Sequence, residues 1–233
     1  MESTVRALDR GIDFLEVLAT EEEPISVADL VVRLKLPKST VLRIAHTLEL
    51  RGLIARNPLT GAYRLGVRVL HFSKSYLTTM DYRRLSLPIM RELRDHTKET
   101  VSLYVEQKGN RVCVERAEGL EPLRSSIQVG EMLPLVSGAA GKVLLAFLHI
   151  KRQEVAVSVL EDIRTKGYAV SHAEYQNGVS SVAAPILNLH GDVIAALSVS
   201  GPSVRYQGEH LDLVIKDTCK AAAKISRDLG HEN

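Results

Sequence analysis

The sequence predicts an α+β chain in two parts: short helices closed by a small β-hairpin, then, past a linker helix, a larger α/β part with an antiparallel sheet. Three observations predict it. Apolar residues recur at helical spacing as far as Leu50, a pair of β-like runs around a Pro/Gly turn follows, and from Thr100 onward strand pairs alternate with apolar helical stretches.

In the first helix Val5, Leu8, Ile12, Leu15 and Leu18/Ala19 keep helical spacing up to Glu21-Glu22-Glu23 and Pro24. Ser26 with Asp29 three residues on resembles a capping box, opening a second helix with Ala28, Leu30, Val31 and Leu34 turned inward. Only Leu36-Pro37-Lys38 separates it from a third helix that runs to Gly52. There Val41, Ile44, Ala45 and Leu48 form a burial stripe, Ser39, Arg43 and His46 point away from it, and Thr40 and Thr47 lie on the flank. Pro37 suits a first turn, where its missing N–H would have no partner, and Gly52 supplies the stop. Two short helices so closely joined, the second with an exposed polar face, match a helix-turn-helix.

Leu53 to Arg56 and Ala62 to Leu65 flank Asn57-Pro58-Leu59-Thr60-Gly61, a hairpin whose turn suits a type I geometry closed by glycine. Arg56 and Arg64 alternate with Ala55 and with Tyr63/Leu65, so both are expected on the outer face, where a wing would meet phosphates. Val67, Leu70, Tyr76 and Leu77 permit a connecting helix whose exposed apolar residues would favour dimerisation, and Leu85, Ile89 and Leu93 space a further helix through Pro88. Domains are therefore expected at 1–66 and 81–233, with 67–80 as linker.

The second part opens with strands at 100–106 and 111–116 around Lys108-Gly109-Asn110, with 124–129 expected to pair beside them. Ser137-Gly138-Ala139-Ala140-Gly141-Lys142 leads into an apolar helix, so a ligand could approach its backbone N–H groups. It is not a phosphate-binding P-loop, because Lys142 is followed by Val143 and the glycines are too close. The plainer alternative is tight helix packing on a sheet. A helix from Glu154 stops at Gly167; strands 182–189 and 193–200 flank His190-Gly191-Asp192; and 211–229 forms a last helix. Ser198 and Ser200 alternate with Leu197 and Val199 and share a face, either lining a polar pocket or facing solvent.

A length of 233 residues with 45% hydrophobic content can build one large or two ordinary domains. No long uncharged apolar run and no signal-peptide h-region are present, so no membrane span is expected and the cytoplasm is the expected compartment. Cys113 and Cys219 stand far apart with no ligand-like spacing, which argues against a disulfide framework and a metal site. The net charge of +2 conceals an asymmetry: nine Lys/Arg against one acid, Glu49, between Arg33 and Lys74, whereas from Asp81 onward each sign counts 19. A basic excess around the third helix is what polyanion binding requires, the alternative being an ordinary solvated surface.

Leu36-Pro37-Lys38-Ser39-Thr40-Val41-Leu42-Arg43, Gly61 to Gly66, Leu133-Pro134-Leu135 through Gly141-Lys142, Gly167-Tyr168-Ala169 and Ala195 to Pro202 together resemble the IclR family of bacterial transcription regulators. The resemblance spans nearly the whole chain. It implies a winged helix-turn-helix joined to a GAF/PAS-like effector-binding domain, in a dimer or dimer of dimers that binds promoter DNA. It also implies a small-molecule effector, an organic or aromatic acid, and no cofactor. By motif position the ligand would meet the backbone N–H groups of Ala139 and Ala140 and the side chains of Ser171, Ser181, Ser198 and Ser200. Ser171 replaces an expected Asp and Ser181 an expected Cys, and the stretch from Leu148 to Ile163 is shorter than in the family.

The expected DNA contacts are Arg43 and Ser39 at base edges, Lys38, Thr40, His46 and Thr47 along the backbone, and Arg56 and Arg64 at flanking phosphates. Two rivals differ in class. A serine enzyme would use Ser181, Ser198 or Ser200 with His172 or His190 as base, but no G-x-S-x-G elbow is present. A winged-helix protein adaptor would have no use for the basic bias.

Overall fold

The computed structural model describes residues 5–78, 81–150 and 152–231, the side chains at 75–78 and 81 excepted. The chain divides into two compact units, Met1–Thr79 and Met80–Asn233. Among the described residues no helix is long and apolar enough to cross a membrane.

The first unit holds α1 (Arg6–Ala19), α2 (Val27–Leu34), α3 (Lys38–Leu50), the hairpin β1 (Ile54–Arg56) and β2 (Tyr63–Leu65), and α4 (Arg68–Thr78). Its core is Phe14, Leu18, Ile25, Leu30, Val41, Ala45, Ile54 and Tyr63, with Phe14 edge-on to Tyr63 at 6.3 Å. Ser26 caps α2 by accepting the Asp29 amide at 3.2 Å, and Lys35 closes α2 in the left-handed conformation. Four residues differ from the periodicity. Val5, Leu8 and Ile12 are exposed, because α1 turns Phe14 and Leu18 inward; on α2 Ala28 is exposed, while Val27, Val31 and Leu34 pack on the core. The described part of α4 exposes Leu70 and Phe72, as does Val67 before it; the side chains of Tyr76 and Leu77 lie outside the described residues.

The second unit is a six-stranded sheet in the order β5-β4-β3-β8-β7-β6, antiparallel at every pairing. The strands are β3 (Thr100–Gln107), β4 (Asn110–Ala117), β5 (Met132–Pro134), β6 (Ala169–His172), β7 (Val179–Leu187) and β8 (Val193–Pro202). Helix α6 (Gly138–Phe147) covers one face, with α7 (Val157–Lys166) packed on α6, and α5 (Asp81–Thr97) and α8 (Gly208–Asp228) cover the other. Apolar residues on both faces of β3 and β8 explain why these central strands lack a solvent side. Residues 124–129 form no strand. Gly130 donates to the Cys113 carbonyl at 2.7 Å and the Cys113 amide donates to Glu131 at 3.1 Å, so the chain turning at Gly130 takes the ladder bonds that 124–129 would need. The neighbour of β4 is therefore β5. The Gly/Ala-rich stretch is itself the first turn of α6, and α7 starts at Val157, three residues after Glu154.

Candidate nucleic-acid interface and ligand pocket

On α3 the burial stripe holds: Val41 and Ala45 are fully buried and Ile44 and Leu48 pack on the core. Lys38, Ser39, Arg43, His46 and Thr47 are exposed and Thr40 is half-buried. The Thr47 hydroxyl donates to the Arg43 carbonyl at 3.1 Å, which leaves its oxygen as an acceptor. Among the described residues Arg33 is paired with Glu21, whereas Lys38, Arg43 and Arg64 have no carboxylate partner. An unneutralised cationic face on one side of a short helix is the electrostatic form a polyanion requires.

The hairpin corrects one expectation. Its register sets Arg56 opposite Tyr63 and Arg64 opposite Ala55, and directly paired residues point to the same face. Arg56 thus belongs to the inner face with Ile54, Tyr63 and Leu65; only Arg64 and Ala55 face outward. The Arg56 guanidinium lies 5.9 Å from the Tyr63 ring centre, and its Nε donates to the Gly61 carbonyl at 3.4 Å, tying down the turn. Alternation fixes directions within one strand only; the turn length sets which residues share a face across the two strands.

In the second unit a small pocket forms between the start of α6 and the β6-β7-β8 side of the sheet. It is lined by Ser171, Ser181, Ser198, Ser200, Gly138, Tyr104, Arg111 and Tyr175, among others. Sheet register brings the serines together: Ser171 pairs with Ser181 and Ser181 with Ser200 in one row, and Ser198 sits two residues from Ser200 on the same face. The Ser198 hydroxyl donates to the Val182 carbonyl at 3.1 Å, and the Ser181 hydroxyl accepts the Ala139 amide at 3.4 Å. Ala139 and Ala140 are fully buried in α6; Gly138 is the helix residue that lines the pocket. Its φ of +77° favours glycine there, and a Cβ at that position would stand 3.0 Å from Arg111 Nη2, close enough to press on the guanidinium.

Three pocket residues escape a reading by sequence pattern. Arg111 is 4% exposed, with its guanidinium 5.0 Å from the Tyr104 ring centre and 5.7 Å from that of Tyr175. Burial lowers its pKa from the ordinary arginine value, and a guanidinium remains cationic at neutral pH even so. Burial likewise raises the Tyr104 phenol above its usual range, keeping it neutral. Sequence offers little signal for Arg111, because it stands between the Lys108-Gly109-Asn110 turn and the apolar run Val112-Cys113-Val114, where an exposed arginine is the ordinary expectation. At the pocket's edge Glu174 accepts the Gly138 amide at 3.2 Å and pairs with Lys142.

The histidines invoked for a serine enzyme lie elsewhere. His172 alternates with Ser171 and contacts the Ser180 hydroxyl at 3.3 Å on the far face, and His190 sits exposed in the turn before β8. Among the described residues no three His, Cys, Asp or Glu side chains could hold a metal ion.

A helix-turn-helix followed by an α/β unit with a polar pocket is the architecture of a DNA-binding regulator with a sensing domain. Residues 7–58 match the IclR helix-turn-helix domain, and residues 74–158 and 152–227 match the bacterial transcriptional regulator IclR C-terminal domain. The chain belongs to the IclR family of bacterial transcriptional regulators. It is 30% identical over 233 residues to the HTH-type transcriptional regulator KdgR of Escherichia coli, covering 91% of this chain and 89% of that one. To KipR of Bacillus subtilis it is 29% identical over 227 residues, covering 89% and 90%. The crystal structure of an IclR regulator from Alicyclobacillus acidocaldarius superposes with a TM-score of 0.82 at 26% identity, over 97% of this chain and 99% of that one. An IclR homologue from Microbacterium hydrocarbonoxydans, solved as a complex with 4-hydroxybenzoate, shares the fold with a TM-score of 0.80 at 24% identity, over 96% and 98%. The family is one of transcriptional regulators, not of enzymes.

Proposed function

We propose that this regulator reads promoter DNA in the cytoplasm as a dimer or dimer of dimers, and that a small carboxylic acid bound in the serine-lined pocket shifts its DNA affinity. The convergence of Ser171, Ser181, Ser198 and Ser200 on the start of α6 carries this reading: hydroxyl donors and a helix N-terminus favour a compact anion. On the DNA side, Arg43 and Ser39 take base edges, Lys38, Thr40, His46 and Thr47 the backbone, and Arg64 a flanking phosphate, with Arg56 holding the wing in shape. Exposed apolar side chains on α1 (Leu8, Ile12) and α4 (Leu70, Phe72) supply surface for self-association.

Calorimetry of the whole chain against glyoxylate, pyruvate and 4-hydroxybenzoate tests the pocket, with a gel shift on genomic fragments at two salt concentrations beside it. Saturable heat from at least one acid and a salt-dependent shift are expected. No heat from any acid by a folded chain would remove the pocket's role, and no shift at either salt concentration would favour a protein adaptor.

A further inference from the structure

We propose that Arg111 is the carboxylate anchor of this pocket and that its ligand is a small acid of few heavy atoms, seated between the Arg111 fork, the start of α6 and the Ser171/Ser200 hydroxyls. This rests on the pocket being the effector site.

Arg111 is a buried cation without the partner that burial normally demands. Its one hydrogen bond runs from Nε to the Pro134 carbonyl at 3.3 Å, and among the described residues no carboxylate lies within ion-pair distance. Tyr104 and Tyr175 meet its guanidinium through their rings, which compensates part of its charge and leaves the in-plane Nη donors unused. Those donors form a planar fork that matches a carboxylate in a bidentate pair. The fork abuts α6, since a Cβ on Gly138 would stand 3.0 Å from Nη2, so guanidinium and helix start act on one point. The hydroxyls of Ser171 and Ser200 line the same cavity and make no hydrogen bond among the described residues.

The chain itself shows the preference of this helix start. Glu174, from the β6–β7 loop, already places a carboxylate oxygen 3.2 Å from the Gly138 amide. Size follows from the cavity: at about 30 Å³ its walls must give even for an acid of five or six heavy atoms, and much further for an aromatic one.

The test is calorimetry on the full chain with glyoxylate, pyruvate, lactate and 4-hydroxybenzoate, each beside its amide. At least one small acid is expected to bind tenfold or more tightly than its amide. Arg111→Met should weaken that acid at least tenfold, leave the amide unchanged and erase the preference. Arg111→Lys, which keeps the charge and loses the fork, should recover part of it, and circular dichroism melts confirm that both variants fold. Equal acid binding by wild type and Arg111→Met overturns the anchor and leaves the effector site standing. Tighter binding of 4-hydroxybenzoate than of every small acid overturns the size assignment. Binding of no acid by the wild type overturns the anchor together with the reading it rests on.

Discussion

Replacing Arg43 with alanine separates base reading from backbone holding. The side chain is exposed on the face of α3 opposite the fully buried Val41 and Ala45, and it has no carboxylate partner among the described residues. Alanine is the stronger helix former, and the Arg43 carbonyl that receives the Thr47 hydroxyl survives the change. Stability should therefore move by no more than about 0.5 kcal/mol. A bidentate base contact is worth about 1–3 kcal/mol of discrimination, which converts to a loss of roughly 5- to 150-fold in operator affinity. The assay is fluorescence anisotropy on an operator selected from a random duplex pool and on a scrambled duplex of equal length, with a thermal melt as control. Operator binding should fall by that factor and scrambled binding by much less. Equal losses on both duplexes, with an unchanged melt, would refute base reading by Arg43.

Arg64→Ala should weaken all sequences alike and reduce the slope of log affinity against log salt by about 0.9, as for one lost phosphate contact; an unchanged slope would place Arg64 off the DNA. Arg56→Ala should leave the salt slope alone and instead loosen the hairpin, seen as faster amide exchange at Asn57 and Gly61. In the second unit burial pushes the Cys113 thiol up to about 12, against about 8.5 in an unfolded chain. With the folded pKa raised, this contribution is intact below about pH 8.5 and is lost as pH rises toward 12, at up to about 1.4 kcal/mol per pH unit. The urea-unfolding advantage of wild type over Cys113→Ala should therefore shrink by about 2 kcal/mol between pH 8 and pH 10, and a constant difference would mean that the thiol ionises in the native state.

What could be read from sequence divides along a physical line. The two faces of α3 were legible because both lie on one helix, where spacing alone fixes direction; Val41 and Ala45 are buried and Arg43 and His46 exposed as the stripe requires. The shared face of Ser198 and Ser200 was legible for the same reason within one strand. Arg56 was misplaced because the relation between strands depends on the turn at 57–62, whose Asn57 side chain accepts the Leu59 and Thr60 amides. Residues 124–129 were β-like in composition, yet backbone bonds at Gly130 and Glu131 had claimed the strand edge. Arg111 went unread for a further reason: its role depends on Tyr104 across a hairpin and on Tyr175 from a distant loop, and no local pattern encodes that meeting. At and just before the start of α1, Val5, Leu8 and Ile12 keep helical spacing without being buried in the chain, which shows that periodicity marks an apolar face and not what covers it.

The central claim is that the pocket in the second unit governs DNA binding by the first. It is tested most directly by measuring operator affinity in the presence and absence of a saturating acid shown by calorimetry to bind. A change of about 5- to 150-fold, the usual range for coupling between sites, is expected, and its disappearance in Arg111→Met at the same acid concentration. An operator affinity that stays constant while the acid is fully bound would contradict it.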